Sequence, residues 1–527
     1  MPQQIRLRND ELADWVLANP VIARGELVVE IDATPPRFKL GDGVTPWLGL
    51  PYVLGSGGDS PPVPDASSTV KGVVQLAGDL DGDADAPVLA AAKSAELRTR
   101  SNHIGSQPAS TIGDFAAAVH ATVGRAVRAG MPVGDTAWAT ARDLQSTAGT
   151  ARAPHTVAVE CVDLRLVYGN WWNRAGSPDF ADAPGPAVLT VGAAVEVGGV
   201  LYPLTFDGRA RATLDPGGWV ATDPLPIVLA AGDVIWSRTY VTGGSYRSTR
   251  VVYQSVGAGG FTATTDLTVT GSGAIGDGTC AQFAPMALLA TPTAAAARAV
   301  LVVGDSIVAG EGDNSSFQGR NIDYPNLAGG GWLQRAFRST IGALNAAFPG
   351  DSAVSFRTPA GHRYRLALAG NTRSMLSGYG RNDVSSNRTY AQITTDLVGV
   401  WALGAARGMP VAQTTITPST SSSDSWATVG NQTVSSSSQD TVRVAVNGWL
   451  RGGAPLVAGA PAVDGANGAV YAGQAGHPLV AVVDIADLAE SARDSGKWKA
   501  GYTSDGVHPN PTGAAGIAAG VDLSLIR

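Results

Sequence analysis

The chain has 527 residues, too long for a single hydrophobic core, and should divide into roughly three or four domains. Apolar residues make up 44% and charged residues only 15%, the composition of an ordered protein, and 66 glycines with 32 prolines point to turn-rich, β-containing parts. A net charge of -7 and a pI near 5.4 argue against nucleic acid as a partner, because phosphate binding wants a basic face.

The first fifteen residues, MPQQIRLRNDELADW, mix charges and contain no apolar core of a signal peptide, and no apolar run is long enough to cross a bilayer. Two cysteines, Cys161 and Cys280, fall in the middle of the chain. Without an export signal, two buried unreactive thiols are expected, with a disulfide between them left open.

Residues 1–54 read as one small β-rich unit. Ile5, Leu7 and Trp15 lead into GELVVEID, an alternating strand, then RFKLGDGVTPWLGLPYV, a strand, a Gly-Asp-Gly turn and an aromatic tail. The stretch from Phe38 to Val53 resembles the N-terminal domain of bacteriophage tail fibres and receptor-binding proteins, which implies a virion-attachment role for residues 1–54.

Residues 55–150 follow as a connecting region. GSGGDSPPVPDASS, residues 55–68, is a linker by composition. STVKGVVQLAGDLDGDADAP and SNHIGSQPASTIGDF both resemble short elements of tail fibres, and Phe115 to Val127 reads as a short Ala-rich helix suited to self-association. None of these motifs carries a chemical group, so a structural role is expected. By the same resemblance the chain is a homotrimer, docked on other tail or baseplate proteins.

Residues 151–290 change to short alternating runs broken by turns, among them TVAVECVDLRLVYGN, AVLTVGAAVEVGG and PIVLAAGDVIWSRTYV. Their spacing favours an antiparallel β-sandwich of jelly-roll type. Trp171, Trp172, Trp219 and Trp236 could stack on sugars if exposed, but core or inter-domain packing is the expected use.

Residues 291–527 alternate buried strands with helices. AVLVV, residues 299–303, is a continuous apolar run of the kind found in a parallel strand covered on both faces. Ile393, Leu397, Val400 and Trp401 share one helical face, Gly408 stops that helix, and PVAQTTITP and LVAVVDIADL supply further strands. This predicts a doubly wound α/β domain, which binds ligands at the carboxyl ends of its strands.

Ser306 sits just past the first of those strand ends, in Gly-Asp-Ser-Ile. A serine hydroxyl is a poor nucleophile and needs a base, an acid to orient that base, and donors for an oxyanion. In TSDGVHPN, Asp505 precedes His508 by three residues, so one short loop can aim a carboxylate at the imidazole while its other nitrogen faces the serine. Asn382, in GYGRND, could give its side-chain amide to the oxyanion. Gly361, in TPAGHR, could give a backbone N–H, because AVSFRTPAG reads as a strand ending in a loop. Gly330 and Gly331 are alternatives, though GGGWLQRAF looks more like a helix entry. His362 is expected beside the cleft, and His103, His120, His155 and His477 as surface or packing residues.

GDSI, the GxND of GYGRND and DGVHPN resemble blocks I, III and V of SGNH (GDSL-like) hydrolases, in the family's order and spacing over about the last 230 residues. The resemblance implies a flavodoxin-like α/β fold and ester hydrolysis through an acyl-enzyme, without metal or cofactor. Ser306, Asp505 and His508 would be catalytic, with Ser306, Gly361 and Asn382 as the oxyanion hole. No metal-ligand spacing and no phosphate loop appears in the sequence.

Joined, the two resemblances describe a phage tail esterase made in the host cytoplasm and carried on the virion. It would remove acyl groups, acetyl above all, from a cell-envelope polysaccharide or lipid ester at the host surface. The alternative is a non-catalytic receptor-binding fibre that uses the same domain as a glycan-binding scaffold.

Overall fold

A computed structural model of the chain describes residues 8–54, 80–89, 131–174, 180–251, 265–313 and 331–526, apart from short breaks inside these ranges. The linker at 55–68, the SNHIGSQPASTIGDF element, the Phe115–Val127 helix, His103, His120 and Cys280 lie outside the described residues. The chain falls into two units, Met1–Ala121 and Thr122–Arg527.

In the first unit, strands β1 (Arg8–Asp10), β2 (Leu27–Glu30), β3 (Arg37–Leu40) and β4 (Tyr52–Leu54) form one sheet in that order, and helix α1 (Leu12–Ala18) joins β1 to β2. Its core is aromatic. Trp15 on α1 stacks on Trp47 at 5.6 Å, and Trp15 Nε1 donates to the Val29 carbonyl at 3.0 Å. Lys39 lies over the Trp47 ring and donates to the Trp47 carbonyl at 2.8 Å, so its buried ammonium has both a π face and an acceptor.

Three sheets of four or more strands dominate the described residues of the second unit. Strands β5 (Met131–Pro132) and β6 (Asp135–Thr136) come first, then β7 (Gly149–Thr156), β8 (Cys161–Gly169) and the hairpin β9 (Trp171–Arg174) and β10 (Ala181–Pro184). Next are β11 (Leu189–Val197), β12 (Val200–Leu204), β13 (Arg211–Leu214), β14 (Trp219–Ala221), β15 (Val234–Thr242) and β16 (Ala287–Pro292). One antiparallel sheet runs β7-β15-β11-β12, with β13 also on β11, and the other runs β14-β8-β16-β5. Alternate residues point inward from both sheets, Leu164, Leu166 and Leu288 from one, Val191, Val195, Ile235 and Val241 from the other, and form one core.

The third sheet is parallel throughout. Its strands β17 (Arg298–Gly304), β18 (Ile341–Asn345), β19 (Ser374–Gly378), β20 (Val411–Thr414) and β21 (Ala481–Val483) are ordered β21-β20-β19-β17-β18-β6. The β17 run is buried on both faces. Leu301 and Val303 face one core with Met375, Phe356 and Trp401, and Val300 and Val302 face another with Trp332, Phe337 and Ile517. Helix α2 (Ser306–Ala309) follows β17, α3 (Trp332–Phe337) precedes β18, and α4 (Ala353–Phe356) and α5 (Pro359–His362) follow it. Helix α6 (Arg381–Ser385) follows β19, and α7 (Tyr390–Ala405) precedes β20. Helices α8 (Ser437–Arg451), α9 (Ile485–Ala489) and α10 (Pro511–Gly520) complete the layers. Ile393, Leu397, Val400 and Trp401 of α7 do bury one face against the sheet.

Two expectations differ from this arrangement. The AVSFRTPAG stretch, read as a strand, is the helix pair α4 and α5. Ser352 caps the first by accepting from the Ser355 N–H, and Thr358 caps the second with Pro359 at its first position, so local capping overrides the strand-like composition. Residues 131–136, assigned to the connecting region, supply an edge strand to each of two sheets, β5 and β6. Such long-range pairing leaves no mark on a two-residue segment.

The sandwich and the parallel sheet also share a core. Val167, Ala287 and Leu289, on the outer face of the β8–β16 pair, join Trp171 and Met286 in the cluster that holds Phe356, Met375 and Trp401. Trp171 is therefore packing, as expected for most of the four tryptophans, stacking on Tyr364 at 5.7 Å. Cys161 is a buried free thiol, pushed up to about 12 chiefly by burial.

Candidate active site

Strand β17 ends at Gly304, in register with Gly378 at the end of β19. Gly304 has φ +158, and a Cβ there would meet Val308 at 2.3 Å and the Gly378 backbone at 3.1 Å. Only glycine lets the chain turn from strand to helix this sharply, which delivers Ser306 as the first residue of α2. Asp305 caps that helix by accepting from the Ile307 N–H at 3.0 Å.

His508 reaches Ser306 from the other end of the domain. Its Nε2 is 2.8 Å from Ser306 Oγ, and its Nδ1 is 2.6 Å from Asp505 Oδ2. The loop holding this pair is fixed locally. Asp505 Oδ1 accepts from the N–H groups of Val507 and His508, both at 2.8 Å, and Thr503 Oγ1 donates to the His508 carbonyl at 2.7 Å. Gly506, at φ +82, lies so close to Thr420 that a Cβ would meet its carbonyl at 1.8 Å, and Trp426 packs on the same glycine. Asn431, by contrast, closes a surface loop onto Asp424 at 3.0 Å.

Burial works against charge on both members of the pair, and their partners outweigh it. Asp505 is held well below the usual carboxylate range by hydrogen bonds from the His508 ring and from the backbone of His508 and Val507. His508 is raised above its ordinary value because Asp505, Glu311 and Asp305 together exceed the desolvation that would lower it. Behind Ser306, burial pushes Asp305 up to about 7.

The two oxyanion groups expected beside Ser306 are placed differently. Asn382 lies on α6, four residues past Gly378, and its Nδ2 donates to the Asp351 carbonyl at 2.8 Å. An amide nitrogen carries two hydrogens, so this bond orients the group and leaves a second donor. Gly361 lies inside α5, where its N–H donates to the Thr358 carbonyl at 2.9 Å and to Thr358 Oγ1 at 3.1 Å. That N–H is committed to the helix cap and does not suit an oxyanion. Gly331, one of the alternatives, donates its N–H to Asp313 at 2.6 Å, and Gly330 lies outside the described residues.

Two residues that the sequence reading passed over adjoin the site. Gly350 follows β18 in the turn NAAFPGD, with φ +88, and Phe348 two residues earlier donates its N–H to the Gly304 carbonyl at 2.9 Å. Among the described residues neither the Gly350 nor the Ser306 N–H has an acceptor. A Pro-Gly turn just past a strand neighbouring the Ser306 strand is the signal that could have found it. Glu311 sits between Gly310 and Gly312, both at positive φ, and its carboxylate is 3.6 Å from His508 Nε2. Of the other histidines, His155 is buried against Ser237, His362 against the Phe356 carbonyl and His477 between the carbonyls of Ala454 and Leu479.

The described residues contain no group of three or more His, Cys, Asp or Glu placed to hold a metal ion, and no helix among them is long and apolar enough to cross a membrane.

Residues 302–515 match the GDSL-like Lipase/Acylhydrolase family, and residues 64–115 match a repeat of unknown function. No curated protein matches the chain. Among solved structures it is similar to a GDSL-like lipase from Bacteroides thetaiotaomicron, at 15% identity over 42% of this chain and 84% of that one, TM-score 0.27. It is also similar to a member of the lipolytic protein G-D-S-L family from Veillonella parvula, at 19% identity over 42% and 95%, TM-score 0.26. A third, AlinE4, a SGNH-hydrolase family esterase, matches at 17% identity over 24% and 62%, TM-score 0.19. The C-terminal region is a GDSL-like lipase/acylhydrolase (SGNH) domain.

Proposed function

We propose that this C-terminal domain is a serine esterase in which Ser306 is the nucleophile, His508 the general base and Asp505 the residue that orients it. The observation that carries the reading is the continuous chain from Ser306 Oγ through both ring nitrogens of His508 to Asp505, at 2.8 Å and 2.6 Å. Ser306 Oγ attacks the ester carbonyl carbon as its proton passes to His508 Nε2. The carbonyl oxygen becomes an oxyanion and accepts from the Ser306 and Gly350 N–H groups and the second hydrogen of Asn382 Nδ2. Collapse expels the alcohol, which takes the proton from Nε2, and a water molecule then releases the acid by the same route.

The substrate in this reading is an acyl ester, acetyl above all, on a host cell-envelope polysaccharide, and the setting is a phage tail. Support for the setting comes from the tail-fibre resemblance of Phe38 to Val53. In this setting the chain would act at the host surface as part of the virion, as a homotrimer docked on other tail proteins. The test is direct. Purified protein should release acetate from host envelope glycan and cleave p-nitrophenyl acetate, and Ser306→Ala should abolish both. A wild-type protein inactive on every short-chain ester would sink the enzymatic reading, and host-cell binding unchanged in Ser306→Ala would then favour a glycan-binding scaffold.

A further inference from the structure

The β9–β10 hairpin belongs to the sandwich side of the chain, yet its Asp182 is wired into the loop that follows β18. Asp182 Oδ2 accepts from the N–H groups of Tyr364 and Arg365 at 2.9 and 3.0 Å, and its Oδ1 accepts from Arg365 Nε at 3.0 Å. Arg365 Nη1 donates onward to Asp351 Oδ2 at 2.6 Å, where the Tyr379 hydroxyl also donates at 2.8 Å. The Asp351 carbonyl is the acceptor that holds Asn382 Nδ2. All three charged side chains, Asp182, Arg365 and Asp351, are fully buried.

A second contact reaches the same loop. Phe180, at the foot of β10, packs on Phe348 at 6.0 Å between ring centres, and a Cβ on Gly350 would meet the Phe180 ring at 2.9 Å. The hairpin therefore bears on two of the three proposed oxyanion donors, on Gly350 by packing and on Asn382 through an ion-pair relay. A buried ion pair is weak evidence for stability, since desolvation offsets much of its attraction. Fixing geometry is the use that suits this one, because oxyanion donors act only when held in place before charge develops.

We propose that Asp182 is a positioning residue for ester hydrolysis, acting through Arg365 and Asp351 on Asn382, so that the β-sandwich forms part of the catalytic machinery. The proposal rests on the reading of Asn382 as an oxyanion donor. The asymmetry of the ion-pair chain explains why it should matter: Asp351 bears both the carboxylate that Arg365 grips and the carbonyl that aims the amide.

The test is a kinetic cycle on the full chain with p-nitrophenyl acetate, combining Asp182→Asn with Asn382→Ala. Asp182→Asn alone should lower kcat about tenfold, the scale expected of a displaced catalytic group, with KM within twofold. In the Asn382→Ala background it should lower kcat little further, because its route to the reacting oxygen is already gone. Equal losses in both backgrounds, or an unchanged kcat in an active wild type, overturn the proposal. If Asp182→Asn does not fold by circular dichroism, Phe180→Ala, a change at a half-buried site, takes its place. A several-fold fall in kcat at constant KM supports the hairpin's role, and full activity overturns it. A wild type inactive on every ester overturns the esterase reading itself, and this inference with it.

Discussion

Glu311 lies 3.6 Å from His508 Nε2, the ring nitrogen opposite the one that Asp505 holds, so the imidazole has a carboxylate at each end. Glycines at positive φ on either side put Glu311 there, and its own N–H donates to the Ser306 carbonyl at 2.9 Å. A base must be neutral to take the serine proton, and a raised His508 holds its own proton to higher pH. The rise of kcat/KM with pH should therefore have its midpoint above the ordinary histidine value of about 6.5. Glu311→Gln removes one of the raising charges and should move that midpoint down, while Asp305 and Asp505 remain. A midpoint unmoved in Glu311→Gln would contradict the assignment.

Asn382→Ala should lower kcat by about 10²–10³, the usual loss of one oxyanion donor, and leave KM little changed. The same protein should keep its thermal unfolding midpoint near that of wild type, since Asn382 is only half-buried and its lost bond is to one carbonyl. A loss confined to KM would place the amide on the ground-state substrate instead.

How much of this was legible in the sequence follows from how local each feature is. Ser306 follows an apolar run that stops at Gly304, and Asp505 and His508 sit three residues apart in one loop, so their gathering needed only the order of the strands. The face of α7 was legible for the same reason, from the spacing of Ile393, Leu397, Val400 and Trp401. Gly350 has no such local mark, because the stretch after it reads as a strand ending at Gly361, and the caps at Ser352 and Thr358 decide otherwise. The Asp182–Arg365 pair spans 183 residues, and nothing in either neighbourhood announces the other.

Gly350→Ala and Gly361→Ala should fail in different ways. A Cβ on Gly350 meets the Phe180 ring at 2.9 Å with φ at +88, which strains the turn carrying the proposed donor, so kcat should fall. A Cβ on Gly361 meets the Ser355 carbonyl at 2.0 Å in the packed α4–α5 turn, so stability should fall by about 1–3 kcal/mol. Steady-state kinetics beside thermal unfolding separates the two. Loss of kcat in Gly361→Ala at unchanged stability would restore that glycine as the donor.

Asp305 gives a stability prediction with a definite sign. Burial raises its folded value to about 7, and one carboxylate oxygen has no hydrogen-bond partner, whereas the unfolded chain ionises near the ordinary value of 3.8. Between those two values the folded state holds a proton that the unfolded state has lost, so this group's contribution falls as pH rises through the interval. At pH 8 its ionised form costs on the order of a few kcal/mol, since each tenfold change in proton affinity is worth about 1.4 kcal/mol. Asp305→Asn keeps an oxygen for the Ile307 cap and removes the charge. Its unfolding midpoint should match wild type at pH 4 and exceed it increasingly toward pH 8. A difference independent of pH would mean that Asp305 is already neutral or well solvated.

The shared core predicts that a fragment cut at the apparent domain boundary will not stand alone. A chain of residues 291–527 keeps Ser306, Asn382, Asp505 and His508, yet it loses β6, the edge strand beside β18, and four of the six residues of β16. It also uncovers the face that Val167, Trp171, Met286, Ala287 and Leu289 cover around Phe356 and Met375. Burial of each such side chain contributes about 1.5–3 kcal/mol, comparable in sum with the whole stability of a domain. Residues 291–527 should therefore express as aggregate or as a species without a cooperative unfolding transition, whereas residues 131–527 should be soluble and as active as the full chain. Soluble expression, thermal unfolding and p-nitrophenyl acetate turnover of the two fragments compare them directly. A cooperative, active 291–527 fragment would show that the sandwich merely leans on an independent esterase.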